Sequence, residues 1–270
     1  MVESVVRSHA EMVVDSTEKS KIRVLHVDDE PALLRVTKQC LELEGMFQVD
    51  SVSSVEEALE KLEKKRYDAI VSDYQMRGKD GLEFLKELRE SGSNVPFIMF
   101  TGKGREEVAI RALNLGANQY LNKTGETETV HTELAHTITE LAKAKKAEEL
   151  LKLSEERYRN LFENAKDVII LFDLKGNVTS ANKKAEEYGF NKSGMLGKNM
   201  LKFISKRYWP KLLKDVAQIA LGKTVEGRIE IHTPKGDKIA EYRSNPIFSD
   251  NRVVGIQTIL EDTTEHKKTE

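Results

Sequence analysis

The chain has 270 residues, room for two domains at ~100 to 200 residues each. Its 43 Lys and Arg against 45 Asp and Glu leave a net charge of −2, which offers no footprint for nucleic acid, and the single cysteine, Cys40, excludes a disulfide scaffold or a cysteine-rich metal site. No apolar run approaches the ~18 residues of a membrane span, and Met1-Val2-Glu3-Ser4 lacks a secretory signal pattern, so we expect a cytoplasmic protein with neither a membrane nor a nucleic-acid partner.

Residues 1–20 are polar and mixed and read as a mobile or weakly helical tail. From Lys21 the pattern alternates strand and helix. Ile22-Arg23-Val24-Leu25-His26-Val27 is a strand running into Asp28-Asp29-Glu30. The first helix opens near Glu30-Pro31, carries Leu33, Leu34, Val36, Thr37, Cys40, Leu41 and Leu43, and stops at Gly45. Cys40 on it reads as a small buried hydrophobe. A strand over 47–52 follows, then a helix capped by Ser54, with Ser54-Val55-Glu56-Glu57 at capping-box spacing and Ala58, Leu59 and Leu62 facing inward.

The next stretch, Tyr67-Asp68-Ala69-Ile70-Val71-Ser72-Asp73, has so little polar alternation that it reads as a strand buried on both faces and ending on a carboxylate. Asp80-Gly81 turns into a helix over 82–90 with Leu82, Leu85 and Leu88 inward. A strand over 95–100 leads into Thr101-Gly102, a helix spans 104–115, and Gln119-Tyr120-Leu121-Asn122 runs into Lys123. Strands separated by single helices imply right-handed crossovers and one parallel sheet, so Asp28, Asp29, Asp73, Thr101 and Lys123 converge on its carboxyl edge. Clustered carboxylates repel unless a hard cation such as Mg²⁺ sits among them; a hydroxyl and an ammonium suit a phosphoryl group.

These motifs in this order resemble the receiver domain of two-component response regulators. The resemblance implies a flavodoxin-like doubly wound α/β fold, with Asp73 as the phosphoacceptor served by a partner sensor histidine kinase. It places Mg²⁺ on Asp28, Asp29, Asp73 and the backbone carbonyl of Gln75, and the phosphoryl oxygens on Thr101 and Lys123. Thr101 and Tyr120 take the positions of the family's switch residues, and Gln75 and Gly102 those that tune dephosphorylation. The competing readings are ordinary ones: acids favoured at a helix N-terminus for Asp28-Asp29, and a half-buried strand tyrosine for Tyr120. Two positions depart from the family pattern. Thr124 stands where proline usually follows the lysine, and Arg77 stands where proline commonly follows Met76, an exchange expected to touch no ligand.

Beyond Lys123 neither proline nor glycine occurs from about Thr127 to Leu161. Leu134, Ile138, Leu141, Ala144, Ala147 and Leu151 form a broken helical stripe there, so a long connecting helix is expected, with pairing to a second copy in a dimer as its use. His131 and His136 lie on this helix without the residues of a kinase histidine box and read as solvated.

A second domain follows. Strands are expected over 168–173, 178–182, 224–232, 238–248 and 253–260, with turns at Lys175-Gly176-Asn177, Pro234-Lys235-Gly236-Asp237 and Ser249-Asp250-Asn251. The stretch Tyr158 to Ala165, the Asp173 to Asn177 turn with Ala181-Asn182, Gly189-Phe190 with Gly197, and the closing Leu260-Glu261-Asp262-Thr263-Thr264-Glu265 resemble a PAS domain. That resemblance implies an α+β fold on a five-stranded antiparallel sheet. Whether it holds a ligand is left open: cysteinyl-flavin chemistry lacks its cysteine, and the long helix over 205–221 offers no histidine for haem. Trp209 reads as packing and His232 as exposed.

The expected layout is a tail at 1–20, a receiver domain at 21–127, a connecting helix at 128–157 and a PAS domain at 158–267. The expected function is phosphorelay signalling, with no enzymatic activity beyond phosphoacceptance and autodephosphorylation. The receiver's state passes through the helix to a PAS sensing or dimerisation module, and a downstream signalling protein meets the receiver or PAS surface. Two alternatives stand beside it. One is the front of a hybrid sensor kinase, for which Glu265-His266-Lys267-Lys268 is a fitting exit; the other is an aspartyl-nucleophile phosphatase using Asp28 and Glu30, which Asp73 and the short loops do not suit.

Overall fold

The computed structural model describes residues 21–102 and 106–263. The expected tail at 1–20, the helix opening at Gly104 and the residues from Thr264 onward lie outside the described residues. The chain divides into two compact units between Leu151 and Lys152, and each is described by itself.

The first unit hangs on five parallel strands, β1 (Ile22–Val27), β2 (Phe47–Val52), β3 (Ala69–Ser72), β4 (Phe97–Thr101) and β5 (Gln119–Asn122), in the order β2-β1-β3-β4-β5. Its helices are α1 (Pro31–Leu43), α2 (Val55–Lys64), α3 (Gly81–Glu90), α4 (Glu106–Asn114) and the start of α5 (Thr127–Glu163). β3 and β4 are buried throughout, which explains their unbroken apolar sequence. On one face Leu25, Val27, Ile70 and Met99 pack with Ala58, Leu85 and Val108. On the other, Val24, Val49, Val71 and Phe100 pack with Leu41 of α1 and with Leu134 and Ile138 of α5. The first turns of α5 are therefore core of this unit, and the flavodoxin-like doubly wound arrangement is the one expected.

Local chemistry sets the helix starts. Ser54 Oγ accepts from Glu57 N at 3.3 Å, but the Glu57 carboxylate returns to Ser53 N at 3.0 Å, one residue before the expected partner. Asp80 makes the complete box, accepting from Leu82 N and Glu83 N while Glu83 accepts from Asp80 N at 2.9 Å. α1 is thinner than its apolar residues imply. Only Thr37 and Leu41 are buried on it, Cys40 is half-buried and Leu43 is 85% exposed, because α1 lies over β1 and the edge strand β2, where it has little sheet to cover.

The second unit has an antiparallel five-stranded sheet in the order β7-β6-β10-β9-β8, as expected for an α+β fold. Its strands are β6 (Val168–Phe172), β7 (Val178–Ala181), β8 (Val225–Thr233), β9 (Gly236–Ser249) and β10 (Arg252–Asp262). Short helices α6 (Lys184–Glu187) and α7 (Lys192–Met195) follow β7. The helix expected over 205–221 is α8 (Trp209–Ala220), preceded by a 3-10 turn at Lys206–Tyr208 that lets Pro210 enter at the start of the α-helix. At the first hairpin Gly176 takes φ +80°, while Asp173 Oδ1 accepts from Lys175 N and Asn177 N at 2.9 and 2.8 Å.

Candidate functional site

Parallel strands bring their carboxyl ends to one edge, and three of the expected side chains meet there. Lys123 Nζ, at the end of β5, donates to Asp28 Oδ2 at 2.5 Å and to Asp73 Oδ1 at 2.9 Å. Asp73 Oδ2 accepts from Gln75 N at 3.0 Å, and Asp28 Oδ1 from Glu30 N at 2.9 Å. Asp28 is 1% exposed and Asp73 8%, so Asp73 is the more accessible of the two. Burial holds the Asp28 carboxyl above the usual aspartate range, and the Lys123 hydrogen bond and charge offset this only in part. Thr101, buried at the end of β4, takes Lys123 N on its carbonyl at 3.1 Å. Thr124 in place of proline leaves its own N–H to bond Asn122 Oδ1 at 2.9 Å, and the Lys123 side chain reaches both carboxylates with threonine there.

Asp29 corrects one expectation. Arg77 was expected to touch no ligand, yet its N–H donates to Asp29 Oδ2 at 3.3 Å and its Nε lies 3.6 Å from the same oxygen. The turn that follows Met76 continues through Gly78 at φ +82°. The three carboxylates do not close into a ready three-acid metal cluster among the described residues; an ammonium bridges two of them and a guanidinium is beside the third. The donor set at the edge is nevertheless oxygen alone, which fits a hard cation such as Mg²⁺.

Gln75 is exposed, and Gly102 has its Cα facing Lys123, where an added Cβ would make ordinary contact at 3.7 Å. Tyr120 packs its ring against the α2–α4 core, and its hydroxyl is buried without a partner among the described residues. Burial, then the charge of Asp73, pushes that hydroxyl up from its ordinary pKa. Gly81 was read only as a turn residue. A Cβ there would collide with the Asp73 carbonyl, so glycine is what lets α3 start against the strand end.

Other groups around the site were not assigned a part. Lys123 Nζ sits 5.5 Å from the centre of the Phe100 ring. His131, expected to be solvated, meets Phe100 edge-on at 6.1 Å and accepts from Thr37 Oγ1 through Nε2 at 3.1 Å, with Nδ1 donating to Thr127 O at 2.7 Å. It lies on the buried side of α5, which the charged residues around it concealed, whereas His136 is exposed as expected. His26 is fully buried in β1; burial, then Lys123 and His131, drives its pKa down to about 3, so the ring is neutral. The only sequence signal for it was a polar residue inside an apolar strand.

In the second unit a cavity of about 90 Å³ is lined by apolar residues such as Phe190, Met195, Val216 and Ile256. That is under the ~150 Å³ that holds benzene. Polar side chains on its wall pair with one another. Asp215 Oδ2 accepts from Lys211 Nζ at 2.9 Å and from the Tyr242 hydroxyl, and Ser244 and Thr258 hydroxyls bond at 2.7 Å. Trp209 Nε1 donates to Ile204 O at 3.2 Å, a packing role, and His232 is exposed and paired with Asp237 at 2.8 Å. No described helix is long and apolar enough to cross a membrane.

Comparison with known proteins bears on both units. A family profile described as Response regulator receiver domain matches residues 24–135, and one described as PAS fold matches residues 162–268. The chain is 36% identical over 110 residues to the Transcriptional regulatory protein TrcR of Mycobacterium tuberculosis, covering 41% of this chain and 42% of that protein. It is 34% identical over 110 residues to the Transcriptional regulatory protein ResD of Bacillus subtilis, covering 41% and 44%. The chain thus spans less than half the length of these curated relatives. Among solved structures it is similar to the Francisella response regulator 1452 receiver domain, at 29% identity and a TM-score of 0.43, over 46% of this chain and 99% of that one.

Proposed function

Since the chain carries a response regulator receiver domain and a PAS domain, we propose that it is a phosphorelay signalling protein whose Asp73 accepts a phosphoryl group from a sensor histidine kinase. The observation that carries this reading is the Lys123 ammonium held jointly by Asp28 and Asp73, a positive charge poised where a phosphoryl group on Asp73 would need it. Asp28 is nearly sealed, which favours Asp73 as nucleophile and disfavours the phosphatase alternative.

In this reading an Asp73 oxygen attacks the phosphorus of a phosphohistidine on the kinase. The O–P bond forms as the P–N bond breaks, and the leaving imidazole takes up a proton. Lys123 turns from the carboxylates to the new phosphoryl oxygens, and the Thr101 hydroxyl donates to them. Receiver domains of response regulators generally bind Mg²⁺ at the phosphorylation site; here Asp28, Asp29, Asp73 and the Gln75 carbonyl would hold it, and it neutralises charge on the phosphoryl oxygens when bound. For the acids to serve in this way, Lys123 and Arg77 must give up their present contacts. Exposed Gln75 and open Gly102 set the access of water for dephosphorylation. The signal then passes along α5 to the PAS domain, which senses or dimerises, and a downstream protein meets either domain.

Intact-mass measurement after treatment with acetyl phosphate and Mg²⁺ tests the assignment. The chain should gain one phosphoryl group, and Asp73→Ala should gain none; unchanged labelling of that variant would sink the reading.

A further inference from the structure

Four buried side-chain polar atoms lack a hydrogen-bond partner among the described residues, and all lie in the receiver domain: both ring nitrogens of His26, the Ser51 hydroxyl and the Tyr120 hydroxyl. His26 and Ser51 are register partners on the parallel strands β1 and β2, so their side chains leave the same face of the sheet. Val24 and Val49, one pleat earlier on those strands, pack with Leu41 of α1 and Leu134 of α5, which identifies that face as the one closed by α1 and α5. The same two helices are joined by the Thr37–His131 hydrogen bond. His131 touches Phe100, and Phe100 faces the Lys123 ammonium, so the contact set reaches the phosphoryl site from the far side of the sheet.

A neutral imidazole has one donor and one acceptor. With both unmade in a sealed core, the resting receiver carries a penalty that an apolar side chain of similar size would not impose. A residue that burdens one conformation shifts the equilibrium toward any other in which the burden is lifted.

We propose that His26 is a positioning residue for the phosphoryl site: its unmade hydrogen bonds, with that of Ser51, are completed when Lys123 leaves Asp28 and Asp73 for the phosphoryl group and α5 re-seats through Thr37 and His131. The inference rests on the phosphoacceptor reading. His26 destabilises the resting form and so favours the phosphorylated one.

The experiment compares the full chain with His26→Leu, His26→Gln and Asp73→Ala in Mg²⁺. It reads the melting temperature without a mimic and the affinity for beryllofluoride. His26→Leu should melt higher than the unaltered chain yet bind the mimic about fivefold more weakly or worse. His26→Gln, which keeps a donor and an acceptor, should recover most of that affinity. A lower melting temperature would overturn the proposal, because the ring would then be satisfied at rest. A higher melting temperature with unchanged affinity would overturn it too. Should His26→Leu fail to fold, Ser51→Ala takes its place, with the same signs and smaller size expected. Asp73→Ala should bind no mimic. If the unaltered chain binds none either, the phosphoacceptor reading fails and takes this inference with it.

Discussion

The receiver and PAS domains each build a core on five strands, and they differ in whether every buried polar atom finds a partner. In the PAS domain Asp215 collects Lys211 and Tyr242, Ser244 pairs with Thr258, and the Asn182 side chain bridges Ile169 N and Asp167 O at 3.0 and 2.9 Å. In the receiver His26, Ser51 and Tyr120 hold polar atoms with no partner among the described residues, and Asp28 is buried with its pKa raised. Satisfied buried networks specify one arrangement, whereas unsatisfied ones leave a second arrangement within reach. On the proposed reading, this contrast would put the capacity to switch in the receiver and leave the PAS domain as a preformed body.

The sharpest way to break that division is to alter α5, which runs from the first unit into the second. If α5 transmits the receiver's state by its rotational phase, one residue inserted beside Ala144 turns whatever follows by about 100°, and seven inserted residues nearly restore it with a drift of about 20°. The beryllofluoride-induced change in self-association or partner affinity should be lost with one residue and largely kept with seven. Equal responses from the two insertions would make α5 a spacer and uncouple the comparison altogether.

Smaller effects test each side alone. Asp215→Ala leaves the buried Tyr242 hydroxyl without its acceptor, while Lys211, 44% exposed, can turn to water, and should cost about 1 to 3 kcal/mol in urea denaturation of the full chain. A loss near zero would mean that the PAS network contributes nothing to its rigidity. In the receiver, Lys123→Met removes what draws the Asp28 pKa down. A carboxyl whose folded-state pKa lies above its unfolded value contributes stability at acid pH that is lost as pH rises through the folded value. Stability of Lys123→Met should therefore fall more steeply than that of the unaltered chain from about pH 4 upward, by about 1 to 2 kcal/mol by neutral pH. Parallel pH profiles would show that Lys123 does not hold Asp28.

How far residues could be read from sequence follows from the same contrast. Strand ends at Asp28, Asp73, Thr101 and Lys123 were legible because an apolar run stopping on a polar residue says both where a parallel strand ends and what stands at its edge. The hairpins at Gly176 and Gly236 were legible because positive φ limits the choice of residue. Partnerships across elements were not. Arg77 meeting Asp29, Thr37 meeting His131 and Tyr242 meeting Asp215 join residues 48, 94 and 27 positions apart, and no periodicity carries that information. α5 hid its division for a related reason. Leu134 and Ile138 are fully buried while Leu151 is largely exposed, yet the same broken apolar stripe carries all three and nothing in it marks the change.

The smallest effect gives the most direct comparison, because the same substitution can be made on both sides. Ser244 and Ser51 both carry a buried hydroxyl on a strand; Ser244 has Thr258 at 2.7 Å and Ser51 has no partner among the described residues. Removing Ser244 Oγ leaves Thr258 Oγ1 stranded, and Ser244→Ala should cost about 1 kcal/mol. Ser51→Ala removes a group that was desolvated without return, so it should stabilise by a few tenths of a kcal/mol. Both alanines fit strands equally poorly, so intrinsic β propensity cancels to first order between the two sites. Urea titration of the full chain, with each domain's transition followed by amide hydrogen exchange, measures the two changes separately. Equal losses at both positions would mean that the Ser51 hydroxyl is satisfied in solution, and the receiver would then differ from the PAS domain in topology but not in how it treats its buried polar atoms.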